Sequence, residues 1–403
     1  VTLTPGDIRR IVFGAVESAV AGARVLILVP DHTRLLPLDE LLPAVIEAAH
    51  RAASVEVMVA LGTHPPDPPD YRRHVAALVG TDVPVRNHEW RNEGDLTRLG
   101  RIDADHIRHI AGDVWHRSLD ASLEVRINRA AVDVDRIIIV GPTLPHEVAG
   151  YSGGTKYLFP GISGPEMIDV MHWLGALSGV MGTIGFERTP VRALIDAASA
   201  LLPTPVTLVA AVTDGEGLAG LFAGPPAEVW PASVERAREH HTTWLERPYQ
   251  RVVSQPLPIY DELWTAAKAV YKLEAAVADG GELIVYAPWL AEVSRTHGPS
   301  IFRIGYHVID YFLAQWERFA EDPLAVLAHS SHVKGAGSFA DGREVPRISV
   351  RLATGISRAD CEQLNLGYVD PVSVDLTPAP EALVVAGAGE RLYRPVSVRV
   401  AGQ

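Results

Sequence analysis

Along the first half of the chain, short apolar runs alternate with longer stretches in which apolar residues recur every three or four positions. Arg24–Pro30 (RVLILVP) has the unbroken apolar character of a strand buried on both faces, and Leu38–Ala53 follows with helical spacing. Ser54–Leu61 (SVEVMVAL) predicts a second strand, Pro69–Val79 a helix, and Leu123–Asn128 and Arg136–Gly141 (RIIIVG) two more strands. Pro190–Leu202 predicts a helix, Val206–Thr213 a strand and Trp230–Arg247 a charged helix. A second region of the same character follows: a strand over Arg251–Gln255, a helix over Leu263–Ala278, a strand over Glu282–Tyr286, a helix near Tyr306–Phe319 and a strand over Leu324–Ala328. Helices sandwiched between β-branched runs predict α/β architecture with largely parallel sheets.

The 403 residues exceed what one compact core usually organises. The pattern therefore predicts two α/β domains, 1–247 and 248–403, with the active-site cleft between them. The last 20 or so residues, within the strand-like stretch Ala382–Val400, could return to the first domain.

Composition narrows the partners. With 47% apolar and 21% charged residues the chain is globular rather than disordered. A formal net charge of −13 leaves no basic surplus for a nucleic acid or an anionic membrane surface. The single cysteine, Cys361, forbids an intrachain disulfide and any Cys-rich metal site, and it fits a cytoplasmic protein. Acidic residues interrupt the apolar stretch at the start, so no signal peptide is expected there, and no run is long enough to span a membrane.

Three of the expected strands end in chemically capable loops: Asp31-His32-Thr33-Arg34, Gly62-Thr63-His64, and the turn through Pro142 to His146. Ligands of open α/β sheets sit beyond the carboxyl ends of the strands, so these loops could share one crevice. The segment His146–His172 (HEVAGYSGGTKYLFPGISGPEMIDVMH) adds glycines that let backbone approach a ligand closely, with Lys156 among them. Its spacing is not that of a Walker A loop. Pro165 is placed to start a helix that carries His172 about two turns in. Taken singly, each feature also has a plain reading: a Gly-rich loop as an ordinary turn, His64 and His146 as structural histidines, Asp31 and Arg34 as partners of each other.

PDHTR (30–34), GTH (62–64), EVRIN (124–128) and HEVAGYSGGTKYLFPGI…MH (146–172) together resemble the nickel-dependent lactate racemase family. The resemblance implies a lysine-tethered nickel-pincer nucleotide, a pyridinium-3,5-bisthiocarboxylic acid mononucleotide that clasps nickel, supplied by cofactor-synthesis proteins. It assigns Lys156 to the covalent tether and His172 to the protein's nickel ligand, which suits an imidazole. It assigns His64 and His146 to the acid/base pair, and Asp31, Thr33, Ser152, Gly153 and Gly154 to the surroundings of the cofactor. Arg34 and Lys268 would hold the carboxylate of a 2-hydroxy acid.

The implied reaction is racemisation or epimerisation. A base takes the hydroxyl proton, the α-hydrogen leaves as hydride, and its return to the other face of the transient keto acid inverts the centre. Where the family often has Arg after GTH, this chain has Pro65. Where a glutamine commonly precedes the second-domain lysine by three residues, it has Thr265, after Trp264; a family tryptophan has Tyr311 and Trp316 in its neighbourhood. These departures predict a bulkier or more polar substrate than lactate. Two other readings fit the same residues: a zinc hydrolase using His64, His146 and His172, which lacks any HxH or HExxH spacing, and a non-catalytic pincer-nucleotide-binding protein.

Overall fold

The computed structural model describes residues 3–62, 68–215 and 217–398. Its first strands are β1 (Arg24–Val29), β2 (Ser54–Val59) and β3 (Val85–Asn87), followed by β4 (Leu96–Ile102), β5 (Leu123–Asn128) and β6 (Arg136–Pro142). A short hairpin, β7 (Pro145–His146) and β8 (Gly150–Tyr151), precedes β9 (Val206–Thr213) and β10 (Leu218–Gly224). Six of these form one sheet in the order β10-β9-β6-β1-β2-β3, parallel except for β10 at the edge. From Val25 onward β1 is apolar because both its faces are covered: Leu26 and Leu28 enter one core cluster, Val25, Ile27 and Val29 the other. The second cluster is closed by the helices Pro5–Val16, Leu38–Ala48 and Pro69–Val79.

After β11 (Thr242–Leu245), a second sheet begins at β12 (Tyr249–Pro256) and continues with β13 (Val277–Ala287). A hairpin of β14 (Gly337–Ala340) and β15 (Arg343–Pro346) leads to β16 (Ser349–Thr354), β17 (Gly367–Tyr368), β18 (Ala382–Ala388) and β19 (Leu392–Pro395). The order β17-β16-β13-β12-β18 is parallel throughout. Two α/β units with mostly parallel sheets are thus present, as the apolar periodicity predicts. Of the strand-like stretch at the end, β18 joins the edge of the second sheet, while β19 pairs with β11 and Arg394 donates to the Met181 carbonyl at 2.8 Å.

Several elements differ from the sequence expectation. Leu324–Ala328, read as a strand, is the first turn and a half of the helix Leu324–Lys334. Every residue from Ala325 to Val333 is buried, so the helix has no polar face to reveal its period. The single helix expected over Leu263–Ala278 is broken into Leu263–Ala266, Lys268–Tyr271 and a 3-10 turn, and β13 already begins at Val277. The charged helix runs over Pro226–His241, and Thr242–Leu245 is strand. Leu123–Asn128 is a strand as expected, but it pairs antiparallel with β4 outside the main sheet.

The two units are not separately cored. One cluster runs from Leu26, Ile137 and Leu208 through Trp173 to Val252, Leu283 and Leu352. Trp173 stacks on Trp316 with centroids 5.6 Å apart and donates to Ser118 Oγ at 2.6 Å. Helix Pro165–Ser178 packs along helix Leu324–Lys334, so the element that carries His172 lies directly against the second unit.

Central burial of this kind sets a stability expectation. Ile139 sits fully buried in β6, between β1 and β9. Ile139→Ala is expected to lower unfolding stability by about 2–5 kcal/mol, read from a shifted urea midpoint with unchanged slope. A loss below ~1 kcal/mol would mean that this sheet is not the packed centre described.

Candidate active site

In the six-stranded sheet the connections run outward from β1 on one side and from β6 on the other, so the sheet's switch point lies between these neighbours. The loop after β1 carries Asp31 and Arg34, and the path after β6 leads through Pro142 to His146. Both line one cleft, together with Gly62 after β2 and Gly153, Lys156 and His172 from the loop and helix that follow. From the second unit come Trp264, Lys268, Tyr271, His329 and His332. About 110 Å³ of free volume remains between them.

The Gly-rich segment is held in shape by many local bonds. β7 and β8 pair through His146 and Gly150, and Ser152 N–H donates to the Leu144 carbonyl at 2.8 Å. Gly150 has φ +81°, and a Cβ there would fall 1.9 Å from the Phe186 carbonyl oxygen, so only glycine fits the hairpin. Arg192 donates to the Tyr151 carbonyl at 2.6 Å and Trp230 Nε1 to the Ser152 carbonyl at 3.0 Å. Further along, Gly62 N–H bonds the Gly161 carbonyl, and Asn128 N–H the Ile162 carbonyl. The EVRIN strand therefore serves as a brace: Asn128 also bonds His88, which in turn bonds the Ser163 carbonyl at 3.1 Å.

Lys156 lies on the 3-10 turn Gly154–Tyr157 and His172 in the third turn of helix Pro165–Ser178. His172 Nδ1 is 2.6 Å from the Ile168 carbonyl, so it carries the proton and leaves the Nε2 lone pair free. Burial holds this imidazole neutral, with its pKa pulled down to about 4. His146 is held neutral in the same way, by burial first and by Lys156 and Arg34 next. Its Nδ1 has two neighbours of opposite character: the Val148 N–H at 3.2 Å and the Glu147 carboxylate at 3.6 Å. Pairing with Val148 puts the ring proton on Nε2; pairing with Glu147 puts it on Nδ1 and leaves Nε2 as a base.

The cations are as distinctive as the imidazoles. The chain has only four lysines, Lys156, Lys268, Lys272 and Lys334, against 32 arginines. Two of the four, Lys156 and Lys268, line this cleft, and Lys272 is buried near enough to act on His146 and Glu147. Burial, reinforced by the Arg34 charge, pulls Lys156 and Lys268 down to about 7. Lys272 is lowered too, chiefly by burial, and donates to the Glu390 carbonyl at 3.1 Å. Arg34 stays charged despite its burial because Asp31 leads a set of acids around it. Lys268 Nζ reaches across to Thr33 Oγ1 at 3.3 Å, and Thr33 N–H bonds Asp31 Oδ1 at 2.9 Å. Thr33 thus links the second unit's lysine to the first unit's carboxylate.

The sequence-predicted residues divide into three groups. Asp31, Arg34, His146, Ser152, Gly153, Lys156, His172 and Lys268 line the cleft together, with Thr33 bonded to two of them. Ser152 spends its hydroxyl on the Leu144 N–H and the Pro142 carbonyl, and Gly154 packs under the Trp230 ring, so both support the loop. His64 and Pro65 lie outside the described residues. Of the second-unit positions, Thr265 bonds the Glu262 carbonyl, Trp316 stacks on Trp173, and Tyr311 stacks on His307. Trp264 supplies the cleft's tryptophan, stacked between His329 and His297.

Glu147, Tyr271, Lys272, His329 and His332 were not anticipated from the sequence. The scarcity of lysine was an available signal for Lys272; His329 and His332 sit on the helix misread as a strand. Among the described residues no three His, Cys, Asp or Glu side chains are grouped so as to hold a metal ion.

Known proteins share part of this sequence and its fold. Residues 14–181 match the lactate racemase N-terminal domain. The lactate racemase of Thermoanaerobacterium thermosaccharolyticum is 23% identical over 314 residues, covering 75% of this chain and 65% of that enzyme. That of Lactiplantibacillus plantarum is 21% identical over 283 residues, covering 67% and 61%. The chain thus spans somewhat less than two thirds of the length of these relatives. A Thermotoga maritima crystal structure superposes with a TM-score of 0.87 at 28% identity, covering 98% of this chain and 99% of that one. The Thermoanaerobacterium lactate racemase apoprotein superposes with a TM-score of 0.71 at 18% identity, covering 96% and 93%, which extends the shared fold over both units.

The lysine environment can be tested directly. A lysine whose pKa is lowered to about 7 is protonated and unreactive below that pH and a free amine above it, whereas an ordinary lysine needs a pH near ~10.4. Acetylation of Lys156 and Lys268 by a small anhydride, followed by peptide mass spectrometry across pH 5–10, should show midpoints near 7. Midpoints near 10 would mean that water fills the cleft and desolvation does not operate.

Proposed function

We propose that this lactate racemase-like chain is an isomerase, a racemase or epimerase of a 2-hydroxy acid that works through a nickel-pincer nucleotide tethered to Lys156. The observation that carries the reading is the meeting, in one cleft, of a lysine with a lowered pKa and an imidazole whose Nε2 lone pair is left unused. Each fits what the cofactor asks of the protein. A free amine is what an amide- or thioamide-type linkage needs, and Lys156 has one at neutral pH. His172 would supply a protein ligand to the nickel through Nε2, which its Nδ1 bond leaves uncommitted.

The cofactor, when bound, supplies a hydride acceptor that can return what it takes. The chain's own residues do the rest. Arg34 and Lys268, from different units, hold the substrate carboxylate, and Arg34 can grip it with two parallel hydrogen bonds. His146 handles the hydroxyl proton at Nε2. For base work its Nδ1–H must turn to Glu147, whose pKa stays low against the pull of burial because it accepts a backbone N–H and faces His332 and Arg34. Glu147 is therefore a positioning residue for the base. His64 is the second base, required because the inverted centre presents its hydroxyl from the other side. The shared core keeps both units pressed on the cleft, which excludes water from the keto acid between the two hydride steps.

Protein made together with the cofactor-synthesis proteins should carry an adduct on the Lys156 peptide, contain nickel, and scramble the configuration of a 2-hydroxy acid. Lys156→Ala should lose both adduct and activity. His146→Ala should keep the adduct while racemisation slows by roughly 10²–10⁴-fold. Zinc without an adduct, or full racemisation by Lys156→Ala, would sink the assignment.

A further inference from the structure

The second unit's wall of the cleft is made of rings that carry hydrogen-bonding atoms. Most of those atoms are already engaged. His329 has Tyr271 Oη 2.9 Å from Nδ1 and Tyr306 Oη 3.4 Å from Nε2, with its face stacked on Trp264. His332, one helical turn further on, is 4% exposed, and one ring nitrogen hydrogen-bonds to the Gly175 backbone. Its Nε2 has no partner.

Several buried side-chain atoms among the described residues lack partners, but His332 Nε2 is the one that belongs to a cleft-lining residue. In the tautomer protonated on Nδ1, the neutral ring presents Nε2 as a lone pair. Glu147 stands close enough to act on His332 electrostatically, and it too lines the cleft as a carboxylate. His332 therefore brings a buried, unpartnered ring nitrogen to the wall of the cleft. An apolar tail would leave it unpaired, whereas a tail with a hydroxyl group would satisfy it.

We propose that His332 is a specificity-determining residue whose Nε2 accepts a hydrogen bond from a hydroxyl that the substrate carries beyond its reacting carbon. The acid turned over is then a polyhydroxy acid rather than one with an apolar tail. This rests on the racemase reading. Thr265, beside Trp264, turns its hydroxyl back to the Glu262 carbonyl and offers the cleft no polar contact of its own.

The test uses holoprotein and pairs of 2-hydroxy acids that differ only in a hydroxyl at C3 or C4. Binding is measured by calorimetry and turnover by chiral chromatography. The wild type should favour the hydroxylated member by at least about tenfold in both Kd and kcat/KM. His332→Leu should bring both ratios to within about threefold of one, and His332→Gln, which keeps an acceptor, should restore part of the preference. A wild type that treats the pairs alike overturns the proposal, as does a His332→Leu variant that weakens both members equally. Loss of nickel from His332→Leu with the preference unchanged would also overturn it and assign the ring to the metal. Preferential binding that depends on His332, without racemisation of any acid, would overturn the racemase reading and leave the contact standing. Binding of none of the acids overturns both.

Discussion

The removal of water from the cleft governs the chemistry of everything inside it. A lysine in water is a cation and a poor nucleophile, and a solvated histidine titrates in the physiological range. Here Lys156 and Lys268 are drawn to about 7, and His172 to about 4, with burial the leading cause in all three. That desolvation is a property of neither unit alone. It comes from a hydrophobic cluster continuous from Leu26 to Leu352, which presses the second unit's Trp264, Tyr271 and His329 against the first unit's loops. The cations then moderate one another: Arg34 keeps its charge beside Asp31 and in doing so weakens the hold of Lys156 and Lys268 on their protons.

A site of this kind also needs its parts held without using up their reactive atoms. The braces act largely through the backbone. Arg192 and Trp230 donate to the carbonyls of Tyr151 and Ser152, and Gly161 and Ile162 are tied to Gly62 and Asn128. His172 is fixed through Nδ1 to a carbonyl of its own helix, which orients the ring and leaves Nε2 uncommitted. His146 is placed between a donor and an acceptor, Val148 N–H and Glu147, so either tautomer has a partner.

What could be read from the sequence followed where the physical signal was local. β1 and β9 are short, largely apolar runs, and the helix Pro69–Val79 has a proline at its start and Gly80 just past its end, so each was legible from its own residues. The convergence of His146, Lys156 and His172 on one cleft was legible because their segment is long and keeps fixed intervals between them. The helix Leu324–Lys334 was not, because a helix buried on all sides has no amphipathic period. Its misreading hid His329 and His332, the two imidazoles that the second unit contributes. The break at Ala267 was equally hidden: the run Leu263–Ala278 reads as helical, but tertiary packing turns it into two short helices and the start of β13. Lys272 could have been found, since lysine is scarce in a chain that otherwise carries its positive charge on arginine.

This division of legibility follows the division of labour between the units. The first unit supplies Lys156, His146 and His172 on one contiguous stretch, whose spacing leaves a pattern in sequence. The second unit supplies a wall, and a wall is specified by surfaces gathered from separate elements: Trp264 and Lys268 after β12, His329 and His332 from a helix some sixty residues later. Each of those positions can change independently so long as the core beneath it holds. Thr265 has its hydroxyl folded back on Glu262. Among the described residues that line the cleft, His332 carries the buried side-chain atom without a partner. The loop residues of the first unit can thus stay in place while the opposite face of the cleft varies.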